Sequence, residues 1–270
     1  MVWITLIKID LVCVKYCFIF AVHSKSYIMT YRKSALLTRN NHKTIKGEKK
    51  GYITYILYLS PFTDNSKGVN LCPHASKGCS RACLFSSGFG GIYDTVKEGR
   101  RNKTEWYLSN RSEFMLQLDK EIGAAIKRHK DKHVVFRLNG TSDIRWEKIK
   151  VREGKTLFEL YPKTKFYDYS KNPVRFDIEL PKNYHLTFSR AEHNHDIAMG
   201  LLSRGYNVAM VFDKELPKKF EGYRVINGDE TDLRFKDKKG VIVGLKYKNN
   251  TGKGGKESNV YARESGFVIV

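Results

Sequence analysis

Cys72, Cys79 and Cys83 stand in one polar stretch, NLCPHASKGCSRACLFSSGFGG at residues 70–91, with the spacing C-x6-C-x3-C. Thiolates are ligands for soft and borderline metals, and small residues such as Gly78 and the neighbouring serines let a loop turn its sulfurs inward around one centre. Three sulfur donors leave one coordination position open. Two metal chemistries follow: an iron–sulfur cluster with one iron free for a substrate or cofactor, or a zinc ion whose fourth ligand is His74. Three structural thiols are the alternative. A disulfide framework is disfavoured, because three cysteines leave one over and clustered thiols in a reducing compartment more often bind metal.

A second set of reactive side chains follows short apolar runs. HVVFRLNGTSD ends in Asn139, Gly140, Thr141, Ser142 and Asp143; KFYDYSK in Asp168, Tyr169 and Lys171; YHLTFSRAE carries Thr187, Ser189 and Arg190; NVAMVFDK carries Asp213. Parallel α/β architectures place ligands at the carboxyl ends of their strands, so parallel neighbours would gather these groups on one rim. In that reading Asp143, Asn139, Ser142, Asp168 and Arg190 are candidate catalytic residues, and Gly140, Thr141 and Ser189 candidate cofactor-binding residues. Any one of them could instead be a turn former or helix cap; their repetition across strands favours a shared site. Asp143 is the strongest single candidate, since GTSDIRWE is poor in helix formers.

The elements that must position these groups are legible in outline. GYITYILYLSPF, 51–62, reads as a strand immediately before the cysteine stretch. DTVKEGRRNKTEWYLSN reads as a helix with a basic face of Lys97, Arg100, Arg101 and Lys103 beside Trp106 and Tyr107, able to neutralise phosphates and stack bases. SEFMLQLDKEIGAAIKRHK reads as a second helix, with Ser112 as N-cap and Phe114, Leu118, Ile122 and Ile126 as its apolar stripe. Beyond it, near-continuous apolar strands alternate with segments such as EGKTLFELYP and NHDIAMGLLSRGY, which indicates a mainly parallel sheet. The expected fold is a single α/β domain of about six strands with intervening helices, arranged as a partial or distorted (β/α) barrel. YKNNTGKGGKESN, 247–259, reads as a mobile loop before a last strand, GFVIV.

The 270-residue chain has 49 Lys and Arg against 28 Asp and Glu, a formal charge of +21 that attracts polyanions: DNA, RNA or a nucleotide. Solvation by surplus lysine is the plain alternative. Residues 1–28 are apolar but interrupted by Lys8, Asp10 and Lys15, which argues against a membrane span, and they lack the cleavage pattern of a signal peptide. They read as an upstream extension ahead of Met29, with residues 29–270 forming the domain.

From ALLTRNNHKTIKGEKKGYITYILYLSP onward the chain resembles the bacteriophage gene product 88 domain family, through NLCPHASKGCSRACL, RLNGTSDIRWE, FYDYSK, NYHLTFSRAE, NVAMVF, INGDETDLRF and GVIVGLK in that order. The resemblance implies a phage protein working in the cytoplasm of the infected host cell, with a host protein among its conceivable partners, and implies no particular reaction. More distantly, a strand followed by a three-cysteine loop and further βα units is similar to radical enzymes that use S-adenosylmethionine, whose loop is spaced C-x3-C-x2-C. That likeness implies an iron–sulfur cluster with S-adenosylmethionine as cofactor, and places Gly140 near the cofactor's amino group.

Overall fold

The apolar runs form strands of five or six residues, the length at which one run can cross a sheet and no more. The computed structural model describes residues 31–39, 42–83, 93–250 and 254–270; residues 1–28, expected above as an upstream extension, and the glycine-rich end of the cysteine stretch lie outside them. In order, the elements are β1 (Leu37–Thr38), α1 (His42–Glu48), β2 (Tyr52–Leu57), α2 (Lys77–Arg81), α3 (Asp94–Ser109), α4 (Arg111–Arg128), β3 (His133–Arg137), β4 (Lys150–Arg152), β5 (Lys155–Thr156), α5 (Leu157–Leu160), β6 (Lys165–Ser170), β7 (Tyr184–Ser189), α6 (His195–Ser203), β8 (Val208–Phe212), β9 (Lys219–Phe220), β10 (Tyr223–Asn227), β11 (Ile242–Lys246), α7 (Gly255–Glu264) and β12 (Val268–Ile269).

Ten of these strands make one sheet, in the order β1-β2-β3-β6-β7-β8-β11-β10-β9, with β12 beside β8. From β2 to β10 along this order all neighbours are parallel, while β1 and β9 are antiparallel edge strands. The sheet is open at both edges, so no closed barrel forms among the described residues. Successive strands β2, β3, β6, β7, β8 and β11 are laid down in one direction. With right-handed crossovers that progression stacks the connecting helices on one face. The core shows this: Phe136, Phe166, Phe188 and Met210 pack with Phe114 and Leu118 of α4, Phe158 of α5 and Leu201 of α6 in one cluster. In the middle of the sheet β7 pairs only with the start of β8, through Phe188↔Val208 and Ser189↔Ala209, and β12 takes over at Val211 and Phe212.

Three local expectations are corrected. The cap of α4 is Asn110, whose side chain accepts from Glu113 N at 3.2 Å while its own N–H donates to Trp106 O; it therefore closes α3 and opens α4, and Ser112 falls inside the first turn. EGKTLFELYP makes the turn and second strand of the β4–β5 hairpin and then a single helical turn, held by a capping box between Thr156 and Glu159. The 247–259 tail becomes helical from Gly255, because Asn250 and Asn259 exchange hydrogen bonds and Ala262 packs with Ala191, Phe267 and Val268. Tertiary contacts there override a Gly/Lys-rich composition. β10, Tyr223–Asn227, is a strand that the sequence reading does not include. Residues 31–270 form one compact unit.

Candidate functional site

Alternation along a strand sends every second side chain to the face that the helices leave open. There Arg137, Tyr169, Ser189, Ala209, Val211 and Leu245 line a cavity of about 390 Å³ at the carboxyl ends of their strands. Cys72, Cys79 and Cys83 line it too, each half-buried.

The cysteine turn is fixed from across the sheet. Ser76 caps α2 by accepting from Cys79 N at 3.0 Å. Glu192, just beyond β7, accepts from Ser76 Oγ at 2.6 Å and from Gly78 N at 2.8 Å. A Cβ on Gly78 would stand 2.6 Å from Phe267 Cβ and 2.9 Å from both Glu192 oxygens, so only glycine lets α2 dock this closely. Cys79 and Ala82 then pack against the apolar cluster of Phe267 and Ala262, placing α7 behind the cysteine turn. Cys72 N donates to Asn70 Oδ1 at 2.8 Å and its Sγ to Thr141 O at 3.6 Å. Burial pushes the Cys72 thiol up to about 12, with the Phe62 backbone and Lys171 opposing.

The strand-end residues divide sharply. Asp143 lines the cavity, but its carboxylate is already engaged by Ser170 Oγ at 2.7 Å, Lys171 N at 2.9 Å and Arg175 Nη1 at 3.1 Å. These bonds brace the rim, two of them on Oδ1 and one on Oδ2. Asn139 Oδ1 accepts from Ser142 Oγ, Ile144 N and Trp146 Nε1, each at 2.9 Å, so Asn139 and Ser142 shape the turn after β3. Asp168 is fully buried and faces away from the cavity, accepting from Asn139 N at 2.9 Å and Tyr184 Oη at 2.9 Å. Burial drives its carboxyl up to about 6 against the pull of Arg137 and these donors. Arg190 also lies outside the cavity lining, spent on the carbonyls of Gly266 and Phe267. Asp168 and Arg190 are therefore not in a position to touch a ligand in the cavity.

Of the proposed cofactor residues, Gly140, Thr141 and Ser189 all line the cavity. Gly140 has a packing reason of its own: a Cβ would meet Tyr58 Cδ1 at 2.6 Å and Leu57 O at 2.7 Å. Thr141 Oγ1 donates to Leu59 O at 2.5 Å, and Ser189 Oγ accepts from Lys171 Nζ at 2.7 Å. His74 is not among the lining residues.

The basic face of α3 is broken up by packing. Lys97 sits 3.4 Å from Asp94, and Arg101 Nε donates to both oxygens of Asp64 at 2.8 and 2.9 Å. Arg100 turns into the cavity lining, its guanidinium 4.9 Å over the Tyr58 ring. Lys103 is buried, donating to Leu36 O at 2.9 Å, and burial brings its ammonium down to about 8. Trp106 and Tyr107 are 2% and 3% exposed in the core and cannot stack on bases.

The sequence reading missed the polar side of the cavity that the sheet supplies. Arg137 Nη1 donates to Asp232 Oδ2 at 2.6 Å, and its guanidinium lies 5.1 Å over the Tyr169 ring. Burial works against the Arg137 charge, but Asp232 and the tyrosines outweigh it and raise the pKa further. The only signal was an arginine closing an otherwise apolar strand. Its partner lies 95 residues away.

As a metal site, the three thiols have the right donor chemistry and share one cavity. Among the described residues no group of three His, Cys, Asp or Glu side chains is already drawn together closely enough to hold an ion. The family model described as Gene product 88 matches residues 35–269. The chain belongs to the gene product 88 family. No curated protein and no solved structure matches it. In this bacteriophage family protein the matched region takes in every residue of the cavity lining. No helix among the described residues is long and apolar enough to cross a membrane.

Proposed function

We propose that this gene product 88 protein is an enzyme whose active centre is the cysteine-lined cavity, with Cys72, Cys79 and Cys83 as ligands of an iron–sulfur cluster and a nucleotide or nucleic acid as substrate. The observation that carries this reading is convergence: three thiols and the polar ends of β3, β6 and β7 line one cavity at the carboxyl ends of parallel strands. When bound, such a cluster supplies an electron and one open coordination position, the chemistry that S-adenosylmethionine-dependent radical enzymes draw on. Strand order supports the analogy, since the cysteine turn follows the first parallel strand of a one-directional βα progression.

The chain's own residues supply the rest. Glu192 and Gly78 hold the cysteine turn against the rim. Lys171, anchored on Ser189, and the exposed Lys246 and Lys248 place positive charge along the lining, which suits a phosphate-bearing ligand and accords with the net charge of +21. Phe62, Tyr247 and Phe267 exclude water from the walls.

Purification under anaerobic conditions, followed by iron and acid-labile sulfide analysis, tests the proposal. The expected result is both elements in the wild type and their loss in Cys79→Ser and Cys83→Ser variants that still unfold cooperatively. Zinc without sulfide would overturn the cluster. Protein that takes up neither metal on reconstitution would overturn the metal centre altogether.

A further inference from the structure

On the sheet side of the cavity, three polar groups have bonding capacity that the protein does not use. Asp232 is 2% exposed and gives Oδ2 to Arg137, but its Oδ1 has no hydrogen-bond partner among the described residues. The same holds for Arg137 Nε and for the Tyr169 hydroxyl, both buried. All three side chains line the cavity. A buried polar atom left unmet costs about 1–3 kcal/mol, so three together are expensive unless a ligand completes them.

Their chemistry restricts that ligand. Asp232 neutralises Arg137, so this side of the cavity is not a simple anion site. The unmet atoms are one acceptor, Asp232 Oδ1, and two that can donate, Arg137 Nε and Tyr169 Oη, all on side chains that line the cavity. The complement is a planar edge with an N–H donor next to a carbonyl or ring-nitrogen acceptor. Aromatic walls from Phe62, Tyr247 and Phe267 suit a flat ring, and a volume of about 390 Å³ falls within the range of small-ligand sites, roughly 300–1,000 Å³.

We infer that the cavity binds a nucleobase, whose edge is read by Asp232, Arg137 and Tyr169 while its phosphate or sugar side meets the lysines of the lining. The inference deepens the proposed function by naming what enters the cavity; it rests on that cavity being the active centre and not on its metal. The base could belong to a nucleotide substrate or to S-adenosylmethionine, and the edge chemistry is shared.

Calorimetric titration of the full chain with adenosine, guanosine, cytidine and uridine 5′-monophosphates, S-adenosylmethionine and ribose 5-phosphate tests it. At least one base-bearing ligand is expected to bind about tenfold or more tighter than ribose 5-phosphate, the equivalent of one or two hydrogen bonds. Tyr169→Phe removes only a hydroxyl without a protein partner, so it should fold normally, weaken that ligand about fivefold and leave ribose 5-phosphate unchanged. Asp232→Asn should change which base is preferred. Preference for S-adenosylmethionine would assign the base to the cofactor, and preference for a monophosphate would assign it to the substrate; both support the inference. Base-bearing ligands no tighter than ribose 5-phosphate, or an unchanged affinity in Tyr169→Phe, would overturn it. Iron and sulfide content, measured separately, keeps this failure distinct from failure of the cluster.

Discussion

Along β3, β6 and β7 the side chains facing the helices include Phe136, Phe166 and Phe188, all fully buried, whereas the opposite face of the same strands carries Arg137, Tyr169, Thr187 and His185. On the helix side the polar groups are better supplied: Asp168 accepts three hydrogen bonds and Arg175 donates to Asp143, Glu147 and Tyr184, although its Nε has no partner among the described residues. On the opposite face Arg137 Nε, Tyr169 Oη, Thr187 Oγ1 and His185 Nε2 are buried without partners among the described residues. One face is nearly completed by folding alone. The other is left chemically open, and departures from full satisfaction gather where a protein binds or reacts.

The largest test of that contrast is Arg175→Met on the nearly completed face. Removing a fully buried guanidinium strands the Asp143 and Glu147 carboxylates, and a loss of about 3–5 kcal/mol is expected from urea unfolding. A loss below about 1 kcal/mol would mean that the helix side is not completed by this network.

A second test uses two groups with opposite pH dependence. Asp168 is raised from the usual 3.8 to about 6, so the stability it contributes is present at low pH and is lost as pH rises from about 4 to 6. His185 is lowered from 6.5 to about 4 by burial and by Arg234, Lys165 and Lys239, so its contribution is present above pH 6.5 and is lost as pH falls toward 4. The two slopes oppose each other over nearly the same window. Asp168→Asn should unmask a rise in stability with pH and His185→Gln a fall, each on the order of 2 kcal/mol between pH 4 and 6.5. Unfolding curves that keep the wild-type pH profile in both variants would contradict the assigned shifts.

The smallest expected effect is Thr187→Val on the open face. The swap conserves shape and removes a buried hydroxyl that has no partner among the described residues, so the unfolding free energy should stay level or rise slightly, by less than about 1 kcal/mol. A clear drop would show that Thr187 Oγ1 is engaged after all and would blur the difference between the faces.

Some of this could be read without coordinates. HVVFR, KFYDYS, YHLTFS, VAMVF and IVGLK are each too apolar to be anything but buried strands, and helix-length spacing between several of them implies parallel pairing. Once the strands are parallel, Thr141, Lys171 and Ser189 must share a rim, and they do. The basic stripe on α3 misled for a definite reason. Helical periodicity says that Lys103 and Trp106 lie near Lys97 and Arg100 along the helix, but not which part of the helix another element covers; the segment at Leu36 covers Lys103. Asp143 and Asp168 looked alike as acids near strand ends. A difference in side-chain direction put one on the cavity rim and the other beneath it.

The sequence by itself determined the main apolar strands, the parallel α/β class, the position of the cysteine turn after the first long strand and the rim shared by Thr141, Lys171 and Ser189. These follow from local composition and the two-residue period of an extended chain. The tertiary structure alone decided that Glu192 clamps Gly78, that α7 backs the cysteines and that Asp232 meets Arg137. Those contacts join residues far apart in the chain, and nothing in a local pattern encodes which distant partner a buried polar group will find once the sheet has assembled.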